Sequence, residues 1–177
     1  MKIKYVIFLF VAVVVFGCVG KSGKADGDSA AGAYDSTMRA NGYDELKLFK
    51  TRTGHITVTL QVNGKPCVLL VDTGGGATLI DISKREKYQL EAIAMREYAA
   101  GIGSVSPLVR TSALIRVGEH EFRDDSLFLM DIAYLNAEFK KVRSRQVDGV
   151  MGTDFLERHR AIIDYARSKI YLKSKQE

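Results

Sequence analysis

The positions of apolar and polar residues predict short strands along most of the chain. Residues 55–62 alternate apolar and polar side chains, which is the period of a half-buried strand. Asn63-Gly64 follows as a strong hairpin-turn signal, and residues 67–71 form a continuous apolar run that suits a fully buried strand. Further strand patterns come after these, at residues 78–81, 95–100, 105–117, 122–130, 147–151, 161–165 and 169–172.

Helical patterns are limited to three short segments. Apolar residues recur at helical spacing at Ile132, Leu135, Phe139 and Val142. Residues 83–93 and 154–159 also favour short helices. Many short strands separated by glycine turns, with few helices, predict a small all-β fold that is either a barrel or a sandwich.

The amino terminus has the pattern of a secretory signal peptide. Lys2 and Lys4 accompany an apolar run at residues 5–16, and this run is too short for a membrane-spanning helix, which needs about 20 apolar residues. Val15-Phe16-Gly17-Cys18 resembles a bacterial lipobox. The resemblance implies cleavage after Gly17 and attachment of lipid to Cys18; the alternative is a plain signal peptide with a chance cysteine.

The segment after Cys18 is rich in glycine, serine and alanine, which predicts a flexible tether. The expected organisation is therefore a lipoprotein signal peptide at residues 1–17, a tether at 18–44 and a folded domain at 45–177. We expect a protein of the bacterial cell envelope that contacts the membrane through its amino-terminal lipid. Val19 after the cysteine favours the outer membrane, by its similarity to sorting patterns of Gram-negative bacteria.

Charge and cysteine content narrow the classes of function. The net charge of +5 includes Lys2 and Lys4 of the signal peptide, and most other charges are mixed in sign, which argues against nucleic-acid binding. The one dense basic segment, residues 140–145, favours a solvated helix end or loop. The chain has two cysteines; if Cys18 carries lipid, Cys67 has no disulfide partner, and its apolar neighbours predict burial.

The candidate chemistry lies at Asp72, which directly follows the apolar run and precedes three glycines. Burial raises the pKa of a carboxyl group, and glycines let backbone N–H groups approach it, so this arrangement suits proton transfer. A dinucleotide-binding loop would need a third glycine where Leu79 stands, and a P-loop would need a lysine that is missing. A purely structural turn remains the alternative.

Two motifs together resemble the retropepsin-like aspartic peptidases of bacteria. Asp72-Thr73-Gly74 resembles the active-site loop of aspartic peptidases, and residues 148–172 resemble the carboxyl-terminal half of the bacterial domains. The resemblance covers residues 46–172 and the motifs occur in the expected order. It implies an all-β, retropepsin-like closed acid-protease barrel with one or two short helices, which forms half of a homodimeric site.

The resemblance also implies roles for individual residues. Asp72 would be the catalytic carboxylate, Thr73 would brace the loop against its symmetry mate, and Gly74 would donate its N–H group to the carboxylate. Gly75 and Gly76 depart from the residues that are usual in the family, whereas Thr78 keeps the usual hydroxyl. The remaining positions are the supporting strand and the substrate-covering flap, at Val150, Met151 and Gly152 and at Gly101, Ile102 and Gly103.

Aspartic peptidase chemistry needs two carboxylates that share a proton, and the chain has one Asp-Thr-Gly. The expected site is therefore an Asp72 dyad in a homodimer that hydrolyses polypeptides with an activated water. The three histidines, His55, His120 and His159, are dispersed, so no metal or other cofactor is expected. The alternative function is a non-catalytic envelope lipoprotein that uses the same fold for peptide binding or dimerisation.

Overall fold

The computed structural model describes residues 26–101 and 104–173. Three helices and ten strands make up this part of the chain. The helices are α1 (Asp26–Ala40), α2 (Ala133–Lys141) and α3 (Thr153–Arg158). The strands are β1 (Tyr43–Lys50), β2 (Ile56–Val62), β3 (Lys65–Val71), β4 (Leu79–Asp81), β5 (Ala92–Gly101), β6 (Ser104–Val117), β7 (His120–Met130), β8 (Gly149–Met151), β9 (Ile162–Asp164) and β10 (Lys169–Lys173).

Six of the strands close into a barrel, which confirms the predicted fold class. They follow one another in the order β6, β7, β4, β8, β3 and β2, and β2 pairs with β6 to close the ring. β3 and β8 run parallel, as do β4 and β7, whereas β4 and β8 are antiparallel. β1, β10 and β9 continue the sheet beyond β2, and β5 extends it beyond β6 as a hairpin.

The two faces of β3 contact different apolar clusters, because successive strand residues point to opposite sides. Cys67, Leu69 and Val71 belong to the main core inside the barrel. Val68 and Leu70 belong to a second cluster, together with Phe139 of α2 and neighbouring residues. Helix α2 therefore covers the outer face of β3, and its position agrees with the helix predicted from the apolar spacing.

Helix α1 is a correction to the predicted tether, because residues 26–40 are helical and contact the sheet. Asp35 accepts a hydrogen bond from the Tyr171 hydroxyl, at 2.7 Å, and forms an ion pair with Lys169. The Tyr34 and Tyr171 rings meet edge to face with their centroids 5.6 Å apart, and Met38 is buried. These contacts order a segment that its composition alone suggests to be flexible.

The helix expected within residues 83–93 is also a wrong prediction. The structure has a single 3-10 turn at Ile82–Lys84, which the Asp81 carboxylate caps by accepting the Ser83 N–H at 3.0 Å. Gln89 then adopts a left-handed backbone with φ of 52°, which ends any helical path. No helix among the described residues is both long and apolar enough to cross a membrane.

Candidate active site

Asp72 lies at the carboxyl end of β3, where the strand opens into a loop. Its N–H donates to the Met151 carbonyl at 3.0 Å, which continues the parallel pairing of β3 and β8 by one residue. Asp72 directly follows Val71, the last residue of β3. The carboxylate is therefore fixed at the end of a buried strand.

Two backbone N–H groups of the loop fold back onto Asp72. Gly74 donates to Oδ1 of the Asp72 carboxylate at 2.9 Å, and Gly75 donates to the Asp72 carbonyl at 3.2 Å. The first contact has the geometry that the family resemblance implies for Gly74. None of Gly74, Gly75 and Gly76 adopts a left-handed backbone, so it is close approach to the carboxylate, and not an unusual φ, that suits glycine at Gly75.

One expectation about the carboxylate does not hold in the single chain. The sequence suggested that Asp72 is buried, but Asp72, Thr73 and Gly74 are all exposed. The strand before them is buried, and burial ends at Val71. The single chain therefore presents this tripeptide to solvent and does not itself remove the carboxylate from water.

The predicted supporting strand, β8, packs directly against the loop. A Cβ atom on Gly152 would stand 2.5 Å from the Ala77 carbonyl oxygen, and one on Gly149 would stand 2.2 Å from that of Leu79. Real Cβ atoms do not approach so closely, so both positions require glycine. The next residue, Thr153, donates its N–H and its hydroxyl to the Gly75 carbonyl at 2.7 and 3.0 Å, which fastens the loop to the start of α3.

Buried Thr78 connects the other end of the loop to α3. Its hydroxyl accepts the Gly152 N–H at 3.0 Å and donates to Oδ1 of Asp154 at 2.7 Å. Arg158 lies one helical turn later, with Nη2 3.6 Å from Asp154 and Nη1 3.0 Å from buried Asp124. The family resemblance predicts a role for Thr78 but not this support, because Asp124 and Arg158 carry no local motif and meet only in the fold.

Asp148 is the first residue of the second motif and directly precedes β8, at the end of that strand away from the Asp72 loop. Its role is structural. Its carboxylate accepts the Val68 N–H at 3.0 Å and pairs with Lys87 at 3.1 Å. Partial burial opposes ionisation of this group, but the hydrogen bonds from Val68 and Lys87 outweigh it and hold the pKa of Asp148 below its ordinary value. Asp148 therefore anchors β8 to β3 in its ionised form.

The other candidate acids are engaged elsewhere. Asp125 forms an exposed ion pair with Arg123 at 2.8 Å, Asp154 holds Thr78, and Asp164 accepts hydrogen bonds from Arg167. None of them stands in a second Asp-Thr-Gly loop. Burial raises the pKa of the Cys67 thiol to about 12, which agrees with the expected inert core cysteine.

The position predicted for the flap is a hairpin between β5 and β6. Gly101 is the last residue of β5 and pairs with Ser104, the first residue of β6. Ile102 and Gly103 lie outside the described residues, as does Cys18. Within the described part of the chain, no three His, Cys, Asp or Glu side chains cluster as metal ligands would.

Comparison with known proteins gives the family. A model of the aspartyl protease family matches residues 58–155, a span that contains the Asp72 loop, β8 and the start of α3. A curated relative, DNA damage-inducible protein 1 of Chaetomium globosum, is 26% identical over 117 residues; the match covers 64% of this chain and 23% of the relative. This chain thus spans about a quarter of that relative's length.

A solved structure shares the fold. A retropepsin-like aspartic protease from Rickettsia conorii superposes with a TM-score of 0.51 at 18% identity, over 73% of this chain and 90% of that one. The retroviral protease-like domain of Ddi1 from Leishmania major gives 0.48 at 15% identity, over 67% and 88% of the two chains. The first of these confirms the retropepsin-like barrel. Since the family model covers more than half of the chain, the chain belongs to the aspartyl protease family.

Proposed function

We propose that this protein is an aspartic endopeptidase that hydrolyses peptide bonds with Asp72 from each of two subunits. The observation that carries the proposal is the Asp72 loop itself. Its carboxylate is exposed at the end of a buried strand and receives the Gly74 N–H on Oδ1. The loop that carries it is fastened to α3 by the bonds from Thr153 to the Gly75 carbonyl and from Gly152 to the Thr78 hydroxyl. A fixed carboxylate that still faces solvent suits a group that must meet a partner and a substrate.

The proposed chemistry uses two Asp72 side chains that share one proton. The ionised carboxylate takes a proton from a bound water while the water oxygen attacks the peptide carbonyl carbon. The protonated carboxyl donates its proton to the carbonyl oxygen. The tetrahedral intermediate then collapses: the carboxyl that took the proton of the water gives it to the departing nitrogen as the C–N bond breaks, and one hydroxyl of the intermediate returns a proton to the other carboxylate. The two fragments leave as a carboxylic acid and an amine, and the dyad again holds one proton.

The requirement for a second subunit follows from the same geometry. The chain offers one exposed Asp-Thr-Gly loop, and Asp124, Asp125 and Asp154 are held by arginines or by Thr78. A two-fold axis beside Asp72 would bring the two carboxylates together and place Thr73 of each subunit near the same axis. Formation of that contact would also remove Asp72 from water, which the single chain does not do.

The test of the proposed activity compares the wild type with the Asp72→Asn variant on a mixed peptide library from acidic to neutral pH. Asparagine keeps the size of the side chain and removes its ionisable group. We expect wild-type cleavage, best at mildly acidic pH because one aspartate must hold a proton, and background cleavage by the variant. Circular dichroism should show the same fold for both. Undiminished cleavage by the variant would contradict the assignment of Asp72.

We further propose that the protein is exported and anchored by lipid on Cys18. The support is the short apolar run that follows Lys4 and the sequence Val15-Phe16-Gly17-Cys18. Expression in a Gram-negative host should give a membrane-associated mature chain whose amino-terminal peptide carries the mass of acyl groups. A Cys18→Ala variant should leave the membrane fraction or keep its signal peptide. A mature chain that starts elsewhere and has no lipid would refute the proposal.

A further inference from the structure

The end of α2 and the turn after it carry basic side chains that the proposed mechanism does not use. We call this group, Lys140, Lys141, Arg143 and Arg145, the basic rim. All four residues are exposed. Lys141 pairs with Glu138 at 2.6 Å, whereas the ion pairs found among the described residues leave the other three without an acidic partner. The basic rim therefore presents a net positive field to solvent.

Strand register puts the basic rim at the Asp72 end of the sheet. Thr57 of β2 pairs with Leu70 of β3 in antiparallel register. His55, two residues before Thr57, and Asp72, two residues after Leu70, therefore lie at the same level of the sheet. The Phe139 ring of α2 lies 5.9 Å from the His55 ring, and Ser144 accepts the Arg52 N–H at 3.4 Å. Helix α2 thus runs towards the Asp72 level, and the rim residues lie at that end.

The basic rim also lies on the side of β3 that α2 covers, near the strand end that carries Asp72. Val68 and Leu70 belong to one apolar cluster with Phe139 of α2, and Asp72 directly follows the end of β3, two residues beyond Leu70. Lys140, Arg143 and Arg145 line a shallow depression of about 660 Å³ together with Ser144 and Gln146. The depression therefore lies on the α2 side of β3, at the end of the sheet where an extended polypeptide would cross Asp72.

From this placement we infer that the enzyme prefers polypeptides with acidic residues flanking the cleaved bond. The inference rests on the proposed peptidase function and adds the chemical class of its substrate. Aspartate and glutamate side chains complement the unpaired Lys140, Arg143 and Arg145, and a positive field beside the site raises the local concentration of acidic chains. Lysine-rich segments would meet like charge at the same place.

The test uses peptides that share one cleavable sequence and differ only in flanking glutamate, glutamine or lysine residues. At about pH 6 the glutamates are ionised, since their ordinary pKa is near 4.3. We expect kcat/KM for the glutamate peptide to exceed that for the lysine peptide by about three- to tenfold at low salt. The difference should shrink near 1 M salt, where the screening length falls to about 3 Å.

A matched pair of variants separates the basic rim from charge in general. Arg143 and Arg160 are both exposed and have left-handed φ values of 52° and 43°. Arg160 lies at the other end of the sheet. Its neighbour His159 accepts the Lys173 N–H on its carbonyl, and Lys173 pairs with Tyr43 at the start of β1. Arg143→Glu should abolish or reverse the preference for acidic peptides, whereas Arg160→Glu should keep it.

The outcomes distinguish this inference from the function on which it rests. Cleavage of all three peptides with equal kcat/KM, or an unchanged preference in Arg143→Glu, would overturn the inference and leave the peptidase assignment standing. Failure of the wild type to cleave any peptide would overturn both. A preference that persists at high salt would also contradict it, because an electrostatic origin requires screening.

Discussion

At the scale of single residues, the contacts around Asp72 divide the neighbouring glycines into two kinds. A side chain would meet backbone atoms of β4 at Gly149 and of the loop at Gly152, whereas a Cβ atom on Gly76 would meet nothing within 4 Å. The sequence has eight glycines from residue 74 to residue 152 and does not make this distinction. It arises only when β8 is placed between β3 and β4.

We therefore expect opposite effects from two alanine substitutions. Gly152→Ala should destabilise the protein by about 1–3 kcal/mol or more, because its methyl group would overlap the Ala77 carbonyl. Gly76→Ala should leave stability unchanged or raise it by up to about 1 kcal/mol, because it restricts the unfolded chain at a site with ordinary φ. Urea unfolding of the two variants measures both effects. Equal destabilisation would show that β8 and the loop are not packed as described.

Asp148 gives a pH-dependent prediction. The pKa of Asp148 is lower in the folded protein than its ordinary value of 3.8. Its ionised carboxylate therefore stabilises the fold above pH 3.8, and this contribution is lost as the pH falls through the lower pKa of the folded state. Asp148→Asn should lower the free energy of unfolding by about 1 kcal/mol at pH 7, since the ion pair with half-exposed Lys87 is screened.

The measurement is urea unfolding at pH 7 and at pH 3, with Asp125→Asn as the control. Asp125 and its partner Arg123 are both 63% exposed, so that variant should change little at either pH. The gap between the wild type and Asp148→Asn should narrow at pH 3. A gap of constant size would contradict the assignment of the pH dependence to Asp148.

At the scale of elements, the support of the loop by α3 is the feature that local sequence did not reveal. The pattern predicted a helix near residues 154–159, and the structure has α3 at Thr153–Arg158. The role of its first turn was missed, because the hydrogen bond between Thr78 and Asp154 joins residues 76 positions apart. Such long-range polar contacts follow from strand order, which hydrophobic spacing does not specify.

Removal of the Thr78 hydroxyl tests this support. Thr78→Val keeps the shape of the side chain but leaves the Gly152 N–H and Asp154 without their buried partner. We expect a loss of about 1–3 kcal/mol in unfolding free energy and a fall in any peptidase activity. Thr59→Val, at a half-buried position in β2, is the control and should change both by less. Similar effects of the two variants would argue against a special role for Thr78.

Helix α1 shows the limit of composition as a guide. Glycine, serine and alanine are common in and before it, and this composition predicted a tether. Its order depends on Tyr34, Asp35 and Met38, which contact the β10 region or are buried. Three side chains in a small-residue segment give little periodic signal, so tertiary contacts decide the structure there.

At the scale of the whole molecule, the sequence was most informative where fold and family motifs agreed. The closed barrel, the turn at Asn63-Gly64, with φ values of 48° and 75°, and the loop at Asp72 all follow the predicted order. The exposed state of Asp72 was not predicted, because the buried strand before it suggested continued burial. The exposed loop is the property that a half-site would need in order to meet a second subunit.

The most direct test of the central claim mixes wild-type protein with a ninefold excess of Asp72→Asn and allows subunits to exchange. If two copies of Asp72 form the dyad, random pairing leaves about one wild-type subunit in ten with a wild-type partner, so activity per wild-type subunit should fall to about a tenth. Excess of a catalytically silent unrelated protein should have no such effect. Undiminished activity in the mixture, with exchange confirmed by differential mass labelling, would show that one Asp72 suffices and would contradict the shared dyad.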